Sequence, residues 1–171
     1  MNQTSMTGVE LIAQERRRQI EKEGWSPAHD DQHTDQSLPL VAIYYATPPG
    51  RYVVELDPLA KSTHPVWPHS WPRQLAKKSD HSRIKQLIIA GGCIAAEIDR
   101  LQRLMVRAVE ILVAVAEINQ AGSAAGAYSL DATAEYLIKQ KLLELRDGGL
   151  WITDKGREAR PELQKELEEA A

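Results

Sequence analysis

Residues 7–23, TGVELIAQERRRQIEKE, place apolar side chains at Val9, Ile12, Ala13 and Ile20, a narrow stripe at helical period. Thr7 with Glu10 three residues on is a capping-box signature, and Gly24 supplies a C-terminal stop, so a helix is predicted over 7–23. Glu15 and Gln19 lie four apart, on one face beside the stripe. A short helix is predicted over 38–46, LPLVAIYYA, with Ser37 near its cap and Pro39 in its first turn, where the missing N–H costs little. From His81 to Gln120 there is no proline. Asp80 can cap this stretch, and Ile84, Leu87, Ile88, Gly91, Ile94, Ala95, Ile98 and Leu101 keep the 3.6-residue stripe. The run 104–118, LMVRAVEILVAVAEI, is apolar nearly all round, which means deep burial or a helix-mediated homodimer interface. One helix of about 40 residues would be about 60 Å long, so a break is expected near Gly91-Gly92 or between residues 100 and 106.

The remaining stretches read as loops or short strands. Residues 47–80 hold six of the nine prolines, with only YVVEL (52–56) strand-like; two Trp-Pro pairs predict an ordered, packed loop. An Ala/Gly-rich link spans Gly122–Gly126. A helix is then predicted from about Asp131 to Leu143, followed by a hairpin turning at Asp147-Gly148-Gly149 and a closing helix over 161–171. The fold class is therefore mainly α: an N-terminal helical domain over 1–103, and a small C-terminal appendage of helix plus β-hairpin over 104–171.

Composition narrows the functional classes. Of 171 residues, 43% are apolar and 26% charged, as in a soluble globular protein, and the net charge of −3 directs the chain to neither nucleic acid nor membrane. No apolar run reaches the roughly 20 residues of a membrane span, and no export signal is expected, so the cytoplasm is the expected compartment. The single cysteine, Cys93, excludes an intramolecular disulfide and is expected in the core. Four Trp and five Tyr stand against no Phe, and Trp25, Trp67 and Trp71 are expected as packing plugs.

Candidate chemistry concentrates in GWSPAHDDQHTDQSLP, residues 24–39, where His29, Asp30, Asp31, His33 and Asp35 crowd between two helices. They read either as capping groups or as a site. Four features could converge: Glu15 and Gln19 on the first helix, the His29–His33 loop, and Glu97 with Arg100 on the long helix. Carboxylates drawn from separate helices are how bundles bind Mg²⁺ or Mn²⁺, which in turn hold the phosphates of a nucleotide. On this reading Glu15, Asp30, Asp31 and Glu97 are metal ligands, His29 and His33 ligands or proton carriers, and Gln19, Arg83 and Arg100 ligand contacts. Arg16–Arg18, Lys77, Lys78 and Lys85 could add phosphate contacts. The competing reading makes the Arg16–Arg18 run and the Glu97–Arg100 stretch solvated faces with local ion pairs.

The ordered motifs ERRRQIEKEGW, HDDQH, YYA, WPHSWP and AAEIDRLQR, covering residues 8–103, resemble a family of small phage and prophage proteins. That family is distantly similar to the all-α, MazG-like nucleoside triphosphate pyrophosphohydrolases. The resemblance implies binding of a nucleotide or phosphorylated small molecule with a divalent metal, and hydrolysis of a phosphoanhydride. The MazG-like Glu-x-x-Glu and Glu-x-x-Asp pairs are not intact: Glu15 is followed by Arg16, Arg17, Arg18 and Gln19 on the first helix, and Arg100 stands where the second motif needs Asp after Glu97 on the long helix. A non-enzymatic inhibitor that binds a host protein or sequesters a signalling nucleotide is therefore the competing expectation. Helix, hairpin and LWITDKGREA resemble the end of a winged helix. Residues 131–157 balance five basic against five acidic side chains, so DNA is not the expected partner, whereas a homodimer is.

Overall fold

A computed structural model of the chain describes residues 6–48, 67–126 and 131–169. It divides into two compact units, Met1–Arg100 and Leu101–Ala171. The strand-like 52–56 stretch and His64 lie outside the described residues. The structure is mainly helical, with a two-stranded antiparallel sheet near the C-terminus followed by a helix.

In the N-terminal unit, α1 (Gly8–Glu23) starts on the predicted capping box, with Thr7 Oγ1 accepting from Glu10 N–H and the Glu10 carboxylate accepting from Thr7 N–H. It ends at Gly24, whose φ of 74° is the left-handed conformation that glycine adopts without strain. A single turn, α2 (Pro27–Asp30), follows, capped by Ser26. Helix α3 (Ser37–Ala46) buries Leu38, Val41, Ala42 and Tyr45, an i, i+3, i+4, i+7 set. These pack with Ile89, Ala90, Cys93 and Ala96 of α4 (Arg83–Gln120) and with the Trp67 and Trp71 indoles. The Trp-Pro segment is thus a lid on this core, tied by the Trp67 indole N–H donating to the Trp71 carbonyl at 3.1 Å. Burial pushes the Cys93 thiol up to about 12, which makes it a core residue and not a nucleophile.

Helix α4 differs from its sequence reading in two respects. It begins at Arg83 with Ser82, not Asp80, as its cap: Ser82 Oγ accepts from Lys85 N–H at 3.3 Å. It also runs 38 residues without the expected break. The reason lies in what the glycine pair is for. A Cβ at Gly91 would come within 2.6 Å of Ile12, and one at Gly92 within 3.0 Å of the Gln19 amide. The pair admits α1 against α4, and that packing outweighs the helix-weakening propensity of glycine.

In the C-terminal unit the apolar run of α4 supplies core: Ala108, Ile111, Leu112, Val115 and Ala116 are buried with Leu137, Leu143, Leu150 and Ile152. Of the two roles open to 104–118, the structure shows deep burial for these five positions. Helix α5 (Ala132–Lys139) is capped by Asp131 and leads into β1 (Leu143–Arg146) and β2 (Gly149–Ile152). The hairpin turns on Asp147 and Gly148, both at positive φ (52° and 76°), the signature of a two-residue type I′ turn. Ala125 bridges Leu150 on the other side of β2. Asn119 ties this sheet to the end of α4, accepting from Ile152 N–H at 2.8 Å and donating to the Ser123 carbonyl at 3.0 Å. Helix α6 (Asp154–Glu169) starts seven positions ahead of the Pro161 start expected from sequence, because the Thr153 hydroxyl caps it by accepting from Gly156 N–H at 3.0 Å.

Gly156 packs against backbone: a Cβ there would come within 2.1 Å of the Leu142 carbonyl oxygen. Gly156→Ala should therefore cost about 3 kcal/mol in chemical denaturation. Gly8→Ala, with open space around its Cβ, should stay within about 1 kcal/mol of the parent.

Candidate functional site

The HDDQH loop is built around one buried ion pair. Asp30 is fully buried, and its Oδ2 accepts from Arg16 of α1, itself only 7% exposed. The Arg16 guanidinium also donates to the Trp25 carbonyl at 3.3 Å, and its Nε lies 4.0 Å from Asp99 of α4. Arg16, expected on a solvated face, is thus the bolt that joins α1, the 24–30 turn and α4. Around it the rings stack. His29 lies parallel to Trp25 at 6.1 Å and edge-on to His33 at 4.7 Å, and His33 meets Trp71 at 5.0 Å. His29 Nδ1 is 3.3 Å from Asp30 Oδ1.

The Trp71 indole N–H can only donate, and it points at His33 Nδ1 from 3.4 Å, with Ser37 Oγ 3.0 Å from the same nitrogen. Burial, and then the charge of neighbouring His29, hold the His33 imidazole below its ordinary value. Asp35 accepts from Ser70 Oγ at 2.6 Å and Ser37 N–H at 3.1 Å, and these bonds hold its carboxyl below the usual range.

The other sequence-selected residues are distributed over three places. Glu97 accepts two bonds from Arg100, at 2.8 and 2.7 Å, the fork geometry of a bidentate pair. The Asp31 carboxylate acts on Arg100 through its charge. Arg83 does not face a ligand space. It donates to the Tyr45, Ala46 and Thr47 carbonyls at the end of α3, and Lys78 donates to those of Tyr44 and Thr47, neutralising the negative end of that helix. Gln19 is 1% exposed, its amide packed against Gly92. Among the described residues, no three of His, Cys, Asp and Glu stand together as a set that could hold a metal ion.

Glu15 belongs to a different feature, an open groove of about 550 Å³ between α1 and α4. Its charged lining is Arg17, Arg18, Lys22 and Lys85 with Glu15 and Glu21, an excess of two positive charges. Burial pushes the Glu15 carboxyl up, but hydrogen bonds from Arg18 and Lys85 outweigh it and the net shift is downward. Glu15 therefore fixes those two cations in place. Sequence reasoning missed Lys22 and Gln14, although Gln14, Arg18 and Lys22 at i, i+4 and i+8 share a face beside Glu15.

The chain matches no protein-family model, no curated protein and no solved structure. Among the described residues, no helix is long and apolar enough to cross a membrane.

Two outcomes follow from the loop geometry. Asp30→Ala strands the Arg16 charge in a buried site and should cost about 3–5 kcal/mol, whereas Arg16→Met/Asp30→Leu should cost far less than the two single changes added together, read from denaturation midpoints. His33, being depressed in the folded state, adds stability that is complete above its unfolded value of about 6.5 and falls away as pH drops through its lower folded value. Trp fluorescence against denaturant should therefore show stability declining below pH 6.5, with a smaller decline in His33→Gln.

Proposed function

We propose that the N-terminal unit binds a nucleotide or another phosphorylated small molecule in the groove between α1 and α4. The observation that carries this reading is the disposition of Arg17, Arg18, Lys22 and Lys85 around one open concavity, with Glu15 pinning two of them. Phosphate oxygens accept from forked guanidinium and ammonium donors, and pre-positioned cations lower the ordering cost of binding. Leu11 and Ile88 supply an apolar wall for a base or sugar. The motif resemblance to phage proteins adds the nucleotide class to the bare charge argument.

Capture is favoured over turnover. Asp30 is engaged by Arg16, Glu97 by Arg100, and Glu15 by Arg18 and Lys85, so a divalent ion would have to displace a cation from each. The residues present thus fit Mg²⁺ or Mn²⁺ poorly. A cytoplasmic binder that sequesters a nucleotide suits this arrangement. The C-terminal unit, with helix, hairpin and capped closing helix in order, supports a winged-helix-like docking role, and its want of a basic surplus favours a protein over DNA as partner.

Calorimetric titration of the full chain with ATP and with inorganic pyrophosphate should show binding in EDTA that weakens as salt rises. Arg17→Gln/Lys22→Gln should reduce affinity at least tenfold with an unchanged melting temperature. Unaltered affinity in this variant overturns the groove assignment. Heat that appears only with Mn²⁺, together with release of pyrophosphate from ATP, replaces capture with metal-dependent hydrolysis.

A further inference from the structure

The face of α1 that borders the groove carries its side chains in a chemical order. Leu11, Gln14, Arg18 and Lys22 follow one another at steps of three, four and four residues, so they share one face over about 16 Å of helix. The N-terminal end of that face is apolar and the C-terminal end cationic, with the Gln14 amide between them. Gln14 is the one uncharged polar side chain among the described residues that line the groove. It is exposed, and its amide makes no hydrogen bond among the described residues. The cations differ in how far they are engaged. Arg18 is held by Glu15 and Glu23, and Lys85 by Glu15. Arg17 and Lys22 make no ion pair among the described residues. The charge open to a ligand therefore lies beyond Gln14, toward the C-terminal end of α1.

We infer that Gln14 reads the base edge of a nucleotide laid along α1, with the base toward Leu11 and the phosphate toward Arg17 and Lys22, an assignment that rests on the groove reading proposed above. A primary amide presents a donor and an acceptor side by side, the pattern found on the hydrogen-bonding edge of a nucleobase. A bare phosphate chain offers acceptors only and leaves the amide carbonyl unused. The apolar side chains of Leu11 and Ile88 suit the flat face of the same base. The reverse orientation is disfavoured. It would set phosphate oxygens against Leu11 and away from both unpaired cations, so they would lose water without gaining a partner. Gln14 is thus a specificity-determining residue, and Arg17 and Lys22 supply the charge.

Calorimetry of the full chain in EDTA with ATP and with tripolyphosphate separates the base from the phosphates. Gln14→Ala should weaken ATP binding about tenfold and tripolyphosphate binding less than about twofold. An equal loss for both ligands, or no loss for ATP, overturns the inference and leaves the groove a phosphate site. Binding of neither ligand by the parent overturns the groove reading and the assignment of Gln14 with it. Orientation is read separately with 8-azido-ATP, whose reactive group sits on the base. After photolysis, trypsin cuts at Arg16, Arg17 and Arg18 and so divides the two ends of α1. Label should appear in the peptide ending at Arg16, or in residues 86–100, which carry Ile88. Label confined to residues 19–22, or found on neither helix, overturns the orientation and with it the role of Gln14.

Discussion

The Arg16–Asp30 pair is the constraint on which the N-terminal unit is assembled. Both side chains are nearly removed from water, and each would be costly there without the other. Meeting that requirement brings the turn after α1 back against the helix it has just left. Arg16 then holds the Trp25 carbonyl and reaches toward Asp99, so one guanidinium spans three segments of chain. The aromatic and imidazole rings fill the space this closure creates, and His33 Nδ1 lies within hydrogen-bond reach of Trp71 and Ser37.

That arrangement separates two chemistries that a linear reading places together. The acidic and histidine-rich loop is engaged internally, in capping, pairing and stacking. The cations that line open space lie on the adjoining surface of α1 with Lys85 of α4, and two of them, Arg18 and Lys85, are themselves held by Glu15. A run of three arginines is thereby split by helical geometry: Arg16 turns inward to Asp30, while Arg17 and Arg18 border the groove.

Periodicity and punctuation made the elements legible. Thr7 with Glu10, the Gly24 stop, the Ser37–Ala46 helix and the Asp147-Gly148 turn depend on contacts within a few residues, and they stand where local rules put them. The unbroken α4 and the early start of α6 were not legible in the same way. Gly91-Gly92 resembles a break until Ile12 and Gln19 are seen occupying the space of the missing Cβ atoms. The Pro161 start gave way to Thr153 because a cap can begin a helix well ahead of a proline that the helix tolerates.

By itself the sequence determined the helical class, the α1 cap and its glycine stop, the hairpin turn, the burial of the Trp-Pro segment and of Cys93, and the stock of charged side chains in the first hundred residues. Such features are set by neighbours along the chain or by the energy of removing apolar groups from water. Only the tertiary structure decided which charges neutralise one another. Arg16 finds Asp30 across 14 residues and Lys85 finds Glu15 across 70. Electrostatic pairing depends on distance in space and on burial, and neither is encoded in spacing along the chain. For the same reason, five residues with the look of metal ligands became the clasp of a fold, while a groove of cations took shape on the face beside it.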